Sequence, residues 1–352
     1  MNDTDPVMFA YRHQYIDRAT QKVCTEQLYG NRAVRLLYSH AREHAPFLFR
    51  ALTSARGSQL LGFLNYEFSL GERISGNRKF LESLRINLEE CVSSAAELNT
   101  MKRVFERKIR YWECRPMTDV SRAVVSPSDS RVIVGSFCET SQLFLKGKFF
   151  DYEELLGSNK GEWLREFLKG NFAIFRLTPE KYHYNHTPVA GKVVDFYEIH
   201  GEYHACNPGA VIAVVTPYSK NRRVVTVIDT DVRNGTGVGL VAMIEVVALM
   251  IGKIVQCYSA ERYGNPLKVR PGMFLQKGVP KSMYRPGSST NVLIFQKDRM
   301  RFAEDLIQNT LRQDVESRFS RGFGTSLVET DIPVRSFLGS AADVEKRECN
   351  KP

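Results

Sequence analysis

The 352-residue chain is 43% hydrophobic and 25% charged, the balance of an ordinary globular protein long enough for one large core or two. Its formal charge of +10 favours an anionic partner, but Lys and Arg are spread along the chain rather than gathered into an aromatic-flanked block, which argues against nucleic acid and suits an acidic membrane face. No run reaches the roughly 18 consecutive apolar residues of a membrane span, and seven scattered cysteines without Cys-x-x-Cys spacing argue against a disulfide framework or zinc ribbon.

The N-terminus, Met1-Asn2-Asp3-Thr4-Asp5-Pro6, lacks the basic-then-apolar order of a signal peptide, so a cytosolic protein is expected. Residues 8–120 read as mainly helical. Asn31 to Phe63 carries clustered apolar residues broken by polar ones, as in several short helices, and Phe63 to Phe68 reads as a further short segment. From Phe80 to Trp112 apolar residues recur every three or four positions, one face of a helix or of two in succession. Core packing is the plainer use of that face. If it meets lipid instead, Lys102, Arg103, Arg107, Lys108 and Arg110 supply attraction to anionic headgroups.

Arg115-Pro116 stops the helical pattern, and the period changes. Ala123–Val125, Arg131–Val134, Asn171–Leu177, Lys192–Phe196, Ala210–Val215 and Val224–Ile228 are short, β-branched runs between turn residues and read as strands. Short helices are expected at Glu153–Leu155 and Trp163–Leu168, and a last one over Phe302–Phe319. The nearest thing to a membrane span, Val238 to Val255, is interrupted by Glu245 and Lys253 and reads as core. The fold class expected is α+β, with a helical N-terminal region (1–120), a strand-rich catalytic core (121–300) and a C-terminal helix and tail (301–352).

Three constellations carry candidate chemistry. His183, His186, His200 and His204 fall close together, and imidazoles suit either metal ligation or proton transfer. Thr178-Pro179-Glu180 reads as a short helix start and His200-Gly201 as a turn, and no carboxylate sits at ligand spacing within the first pair. No metal is therefore expected. Asn234-Gly235-Thr236-Gly237-Val238-Gly239 loosely fits a dinucleotide fingerprint, but six residues separate it from its strand, so a glycine-rich turn is the better reading. Finally, Arg285-Pro286-Gly287-Ser288-Ser289-Thr290 leads directly into the apolar run Val292-Leu293-Ile294-Phe295. A serine entering a buried strand is poorly exposed to an incoming substrate and better suited to attacking its own backbone.

These segments resemble the phosphatidylserine decarboxylase proenzymes. Phe105-Glu106-Arg107-Lys108-Ile109 with Arg115-Pro116, Val125-Ser126-Pro127-Ser128-Asp129, Leu145-Lys146-Gly147, Glu154-Leu155-Leu156-Gly157 and Asn207-Pro208 stand where that family has its motifs. The nearest match is Arg176-Leu177-Thr178-Pro179, followed by Tyr182-His183, His186 and Pro188. Ser130 replaces a usual glycine, Val246 to Gly252 diverges from a Val-Gly-Ala-Thr stretch, and the tail after Phe295 is long. Aligning Ser-Thr and Phe295 with the family's cleavage motif puts the scissile bond at Ser288–Ser289; reading Gly-Ser literally would give Gly287–Ser288. The resemblance implies self-cleavage, with Ser289 converted to a covalent pyruvoyl group, His186 as the base, Asp129 stabilising its imidazolium, and His183 assisting decarboxylation. It further implies associated α and β chains, a homodimer, and phosphatidylserine as substrate at the cytosolic membrane surface. A soluble decarboxylase of a free amino acid such as tryptophan, a non-catalytic lipid-binding homologue and a metal enzyme at the histidines are the rivals.

Overall fold

Alternation of side chains along one strand organises the molecule. In Ser289–Phe295, Val292 and Ile294 pack into one buried apolar cluster, while Leu293 and Phe295 pack into another on the opposite face. Successive side chains of a strand point to opposite faces, so a strand apolar at every position from Val292 to Phe295 must be covered on both sides.

The computed structural model describes residues 11–28, 47, 52–54, 86–145, 149–214, 216–249, 253–285 and 289–342. Most of the helices expected over 31–63, the segment 63–68, the beginning of the 80–112 stripe, Lys146-Gly147 and Pro286-Gly287-Ser288 lie outside the described residues.

The described strands, in chain order, are β1 (Gln14–Asp17), β2 (Val23–Thr25), β3 (Ala123–Val125), β4 (Ser130–Ser136), β5 (Asn171–Leu177), β6 (Tyr184–His186), β7 (Gly191–Ile199) and β8 (Arg223–Asp229). They continue with β9 (Leu240–Val247), β10 (Ile254–Gln256), β11 (Phe274–Leu275), β12 (Pro280–Tyr284), β13 (Ser289–Phe295), β14 (Met300–Phe302), β15 (Glu329–Ile332) and β16 (Phe337–Ala341). Ten form one sheet in the order β11-β7-β8-β9-β13-β5-β4-β15-β1-β2. β13 is central, antiparallel to both β9 and β5, with Ser289 opposite Leu177 on one side and Val247 on the other. Two three-stranded sheets, β10-β12-β6 and β14-β16-β3, complete the architecture. Short helices at Tyr152–Leu156, Gly161–Glu166, Pro208–Ala213 and Arg318–Phe323 bring Leu155, Leu156, Trp163, Val211 and Phe319 to the face carrying Val292 and Ile294.

The strand-rich α+β reading holds, and five of the six expected strands are present. Ala210–Val215 is the exception: Pro208–Ala213 is a helix. The Asn207 side chain accepts from the Gly209 amide and Pro208 sits in the first turn, so a cap and a proline override the β-branched composition. The N-terminal expectation also needs correction. Residues 14–17 and 23–25 are strands rather than helix, joined to the sheet through parallel pairing of β1 with β15. The 80–112 stripe is broken into short pieces, Leu88–Glu90, Met101–Phe105 and, at its end, Tyr111–Cys114. Cys91, Leu98, Phe105 and Ile109 are nonetheless buried, and so is Arg107, which donates to the carbonyls of Val104 and Glu180 instead of facing outward.

Thr178-Pro179-Glu180 forms a turn, and Phe302–Phe319 resolves into Glu304–Thr310 and Arg318–Phe323. The tail returns into the core, because β15 inserts between β4 and β1 in the large sheet. The Asn234–Gly239 stretch is a turn between the antiparallel strands β8 and β9. Asn234, Gly237 and Gly239 adopt positive φ there, which accounts for the glycines without a bound nucleotide. Among the described residues, no helix is long and apolar enough to cross a membrane.

Candidate active site

Four chain segments meet at the N-terminal end of β13. Ser126–Asp129 precedes β4, Tyr182–His186 leads into β6, Lys281–Tyr284 lies on β12, and Ser289 opens β13. Backbone bonds join the first three: the His186 amide donates to the Pro127 carbonyl at 2.7 Å, and the Tyr284 amide to the His183 carbonyl at 3.0 Å.

Ser289 is fully buried, and its Oγ has no hydrogen-bond partner among the described residues. Buried polar groups are nearly always paired; the Thr290 hydroxyl, next along the strand, is also buried without a partner among the described residues. Ser288, the neighbour of Ser289 expected to hold the carbonyl under attack, lies outside the described residues.

His183 and His186 are both fully buried. His183 donates from Nδ1 to the Lys181 carbonyl at 2.7 Å, and its ring stacks on Phe105 with centroids 3.5 Å apart. That bond sets the tautomer, leaving Nε2 with a lone pair and no partner among the described residues. His186 donates from Nδ1 to the Gly278 carbonyl at 3.0 Å, and its Nε2 lies 3.0 Å from the Tyr182 hydroxyl. Tyr182 is in turn 2.7 Å from the Tyr263 hydroxyl, which donates to the Ile109 carbonyl. Tyr182 can therefore turn its proton to either His186 or Tyr263, closing or opening the imidazole lone pair.

Asp129 is paired with neither histidine. Arg115 grips its carboxylate with two bonds of 3.0 and 2.8 Å, and the Val334 amide adds a third at 2.7 Å. Against burial, which would raise it, Arg115 holds the Asp129 pKa below its ordinary value. Asp129 nevertheless acts on both imidazoles through its field, favouring their charged forms. Arg115 and Tyr182 have no role legible from residue type alone, though both stand within the motifs Arg115-Pro116 and Tyr182-His183.

Burial pushes both histidine pKa values down to about 3; Arg107 adds to the fall at His183. Both imidazoles are therefore neutral at neutral pH, the form in which a base must rest. The same shift makes a stability prediction. Unfolded, each titrates near 6.5, so the unfolded chain binds these protons first. The contribution to stability is complete above about pH 6.5 and is lost as pH falls toward 3, at up to about 1.4 kcal/mol per pH unit for each histidine. Asp129 and Glu329, with depressed pKa values, add their losses only at lower pH, below about 4.5. The thermal midpoint should thus be flat down to about pH 7 and decline from near 6.5. A midpoint unchanged down to about pH 5 would mean that these histidines are not buried neutral.

His204 pairs with Glu202 at 2.5 Å, away from the bonds made by His183 and His186. Among the described residues, a histidine and carboxylates whose ligand atoms converge are His13, Glu26 and Glu329. That group already has its cations: Arg176 contacts both carboxylates, at 2.6 and 2.5 Å, and Arg131 also contacts Glu26. His13 donates to Glu329 at 2.7 Å while its Nδ1 accepts the Arg318 amide. This balanced ion cluster ties the N-terminal strands to the large sheet rather than presenting an open metal site.

Comparison with known proteins bears on the same segments. The family model described as phosphatidylserine decarboxylase matches residues 101–319, which include the four segments at the head of β13. The chain is similar to a phosphatidylserine decarboxylase proenzyme of Ruminiclostridium cellulolyticum, 29% identical over 84% of this chain and 92% of the relative. A proenzyme of that name from Fusobacterium nucleatum is 27% identical over 88% and 95% of the two chains, and one from Chlamydia trachomatis 30% identical over 70% and 75%.

Proposed function

The chain belongs to the phosphatidylserine decarboxylase family, and from that membership we propose that it converts phosphatidylserine to phosphatidylethanolamine and CO2 with a pyruvoyl group made by cleaving itself between Ser288 and Ser289. The observation that carries the reading is the buried Oγ of Ser289 at the head of the central strand, without a hydrogen-bond partner among the described residues, in a site where His183 Nε2 is likewise buried without one. Two orphaned groups in a dry site suit a place where a small reactive group and its substrate will supply the missing partners.

In maturation, Ser289 Oγ attacks the Ser288 carbonyl and the amide becomes an ester. Loss of the Ser289 Cα proton then expels the Ser288 carboxylate, leaving dehydroalanine at the new N-terminus. Hydrolysis of that residue releases ammonia and leaves the pyruvoyl carbonyl. His186 takes the serine proton when Tyr182 turns its own proton toward Tyr263, and Asp129 stabilises the resulting imidazolium at a distance. The pyruvoyl group supplies a carbonyl that accepts the electrons left when CO2 departs, which no ordinary side chain does. His183 Nε2, which rests with a lone pair, takes a proton from the incoming substrate ammonium and later returns it to the carbon that CO2 leaves; the Lys181 carbonyl and the Phe105 ring hold the imidazole in place for it.

The relatives named above carry the lipid in their names, and the net charge of +10 suits an anionic bilayer. On this reading the enzyme works as a peripheral protein on the cytosolic face of a membrane, as a homodimer whose α and β chains stay associated. The test is intact-mass analysis of purified protein, joined to CO2 release from phosphatidylserine vesicles and from free amino acids. A pyruvoyl-capped fragment beginning at residue 289 and release from vesicles are expected. Release from amino acids alone would move the substrate, and an active uncut chain would end the proposal.

A further inference from the structure

Beneath the site runs a polar chain in an otherwise apolar core. Glu245 and Lys281 form an ion pair of 2.7 Å with both side chains fully buried. The Glu245 carboxylate takes two further donors on Oε1, Ser282 Oγ and Asn185 Nδ2 (3.1 Å), and Gln256 Nε2 at 3.1 Å on Oε2. Lys281 also reaches Gln256 Oε1 at 3.1 Å. From Asn185 the chain continues, since its Oδ1 accepts from Asn291 Nδ2 at 2.9 Å. Asn291 Nδ2 also donates to Ser128 Oγ at 3.2 Å, and its Oδ1 accepts from Tyr284 at 2.7 Å. The Tyr284 hydroxyl lies equally close, 2.8 Å, to the carbonyl of Thr290.

The direction of these bonds follows from one end. An ionised carboxylate only accepts, so Asn185 must offer Glu245 its NH2 and turn its oxygen to Asn291. Asn291 must then offer its NH2 to Asn185, which turns its own oxygen to Tyr284. A single charged group thus fixes the direction of two amides, and Asn291 Oδ1 and the Thr290 carbonyl, next to Ser289, share the one proton of the Tyr284 hydroxyl. Each motif of the site contributes one member: Ser128 beside Asp129, Asn185 between the two histidines, Tyr284 before the cleavage loop, and Asn291 two residues after Ser289, on its face of β13. Asn291 and Glu245 are register partners, which fits the direct alignment of the chain with the strand.

We propose that Glu245, through Asn185 and Asn291, is a positioning residue that holds Ser289 in the orientation required for attack on the preceding carbonyl, with Lys281 present to neutralise it. The proposal rests on the self-cleavage reading and adds the device that aims it. Burying an ion pair is a poor way to gain stability, as apolar residues of similar size often do as well, so a role in orientation accounts for the choice.

The experiment follows cleavage of freshly synthesised full-length chain by intact mass, with and without hydroxylamine, which cuts an ester but not an amide. Asn291→Val should slow both spontaneous and hydroxylamine-driven cleavage about tenfold, the rate equivalent of one buried hydrogen bond, in protein that is folded by circular dichroism. Glu245→Leu with Lys281→Met should do the same. Glu245→Gln with Lys281→Met is equally uncharged but keeps an acceptor for Asn185, with Gln256 Oε1 free to take the new NH2, and should recover at least half the wild-type rate. Folded Asn291→Val that cleaves at the wild-type rate overturns the proposal, as does a Gln/Met pair no faster than the Leu/Met pair. Wild-type chain that never cleaves overturns the underlying reading instead.

Discussion

Ser289→Ala is expected to give a single uncut chain of 40.2 kDa with no decarboxylase activity. Without Oγ there is no nucleophile for the acyl shift and no source of the carbonyl. The loss should therefore be total rather than partial, on the order of 10⁶-fold or more, the least that enzymes typically contribute. Folding should survive. The hydroxyl of the uncleaved precursor is buried without a partner among the described residues, so its removal breaks no hydrogen bond and should leave the precursor's thermal midpoint unchanged or slightly raised. That combination, full loss of function with no loss of stability, separates a reactive serine from a structural one. Ser288→Ala serves as the control and should still mature. An active, cleaved Ser289→Ala protein would transfer the reactive role to Ser288.

The two histidines should part company when each is removed. His186→Ala should block maturation, because its imidazole is the base for Ser289, and should leave the precursor intact. The loss of a general base corresponds to roughly 10²–10⁴-fold in the rate of cleavage. His183→Ala should permit at least partial cleavage yet lower turnover by a comparable factor, since its Nε2 is assigned the proton that returns to the carbon left by CO2. Cleavage by intact mass and turnover by CO2 release read the two steps separately. Full turnover in cleaved His183→Ala would remove that residue from the mechanism; normal maturation of His186→Ala would remove the other. Both substitutions also leave a cavity, and the His183 variant loses the stacked contact with Phe105, so both proteins should be compared by thermal unfolding before rates are interpreted.

Much of this was legible because the signals are local. An unbroken apolar run such as Val292–Phe295 of β13 announces burial on both faces, and short β-branched runs between turns announce strands, as β4, β5 and β8 do. The Tyr182 to Pro188 segment names its chemistry by residue type. Local signals also misled. Ala210–Val215 has strand composition, but Asn207 and Pro208 start a helix there, and the 80–112 stripe has a helical period whose apolar side chains the fold uses in separate short pieces. Residues 14–25 gave no strand signal because β1 and β2 are only four and three residues long, with β2 at the edge of the sheet and β1 held by pairing with β15, more than 300 residues away.

From the amino-acid order alone came the residue types of the site, the strand that carries Ser289 and the family whose motifs these are, since each depends on chemistry within a few neighbouring positions. Tertiary structure decided the partnerships: Arg115 on Asp129, Tyr182 on His186, and the buried Glu245–Lys281 pair behind Asn185 and Asn291. Glu245 and Lys281 lie 36 residues apart, and Asn185 and Asn291 lie 106 apart. Hydrogen bonds and ion pairs act over a few ångströms of space, so which groups meet is set by how the sheets stack and not by distance along the chain.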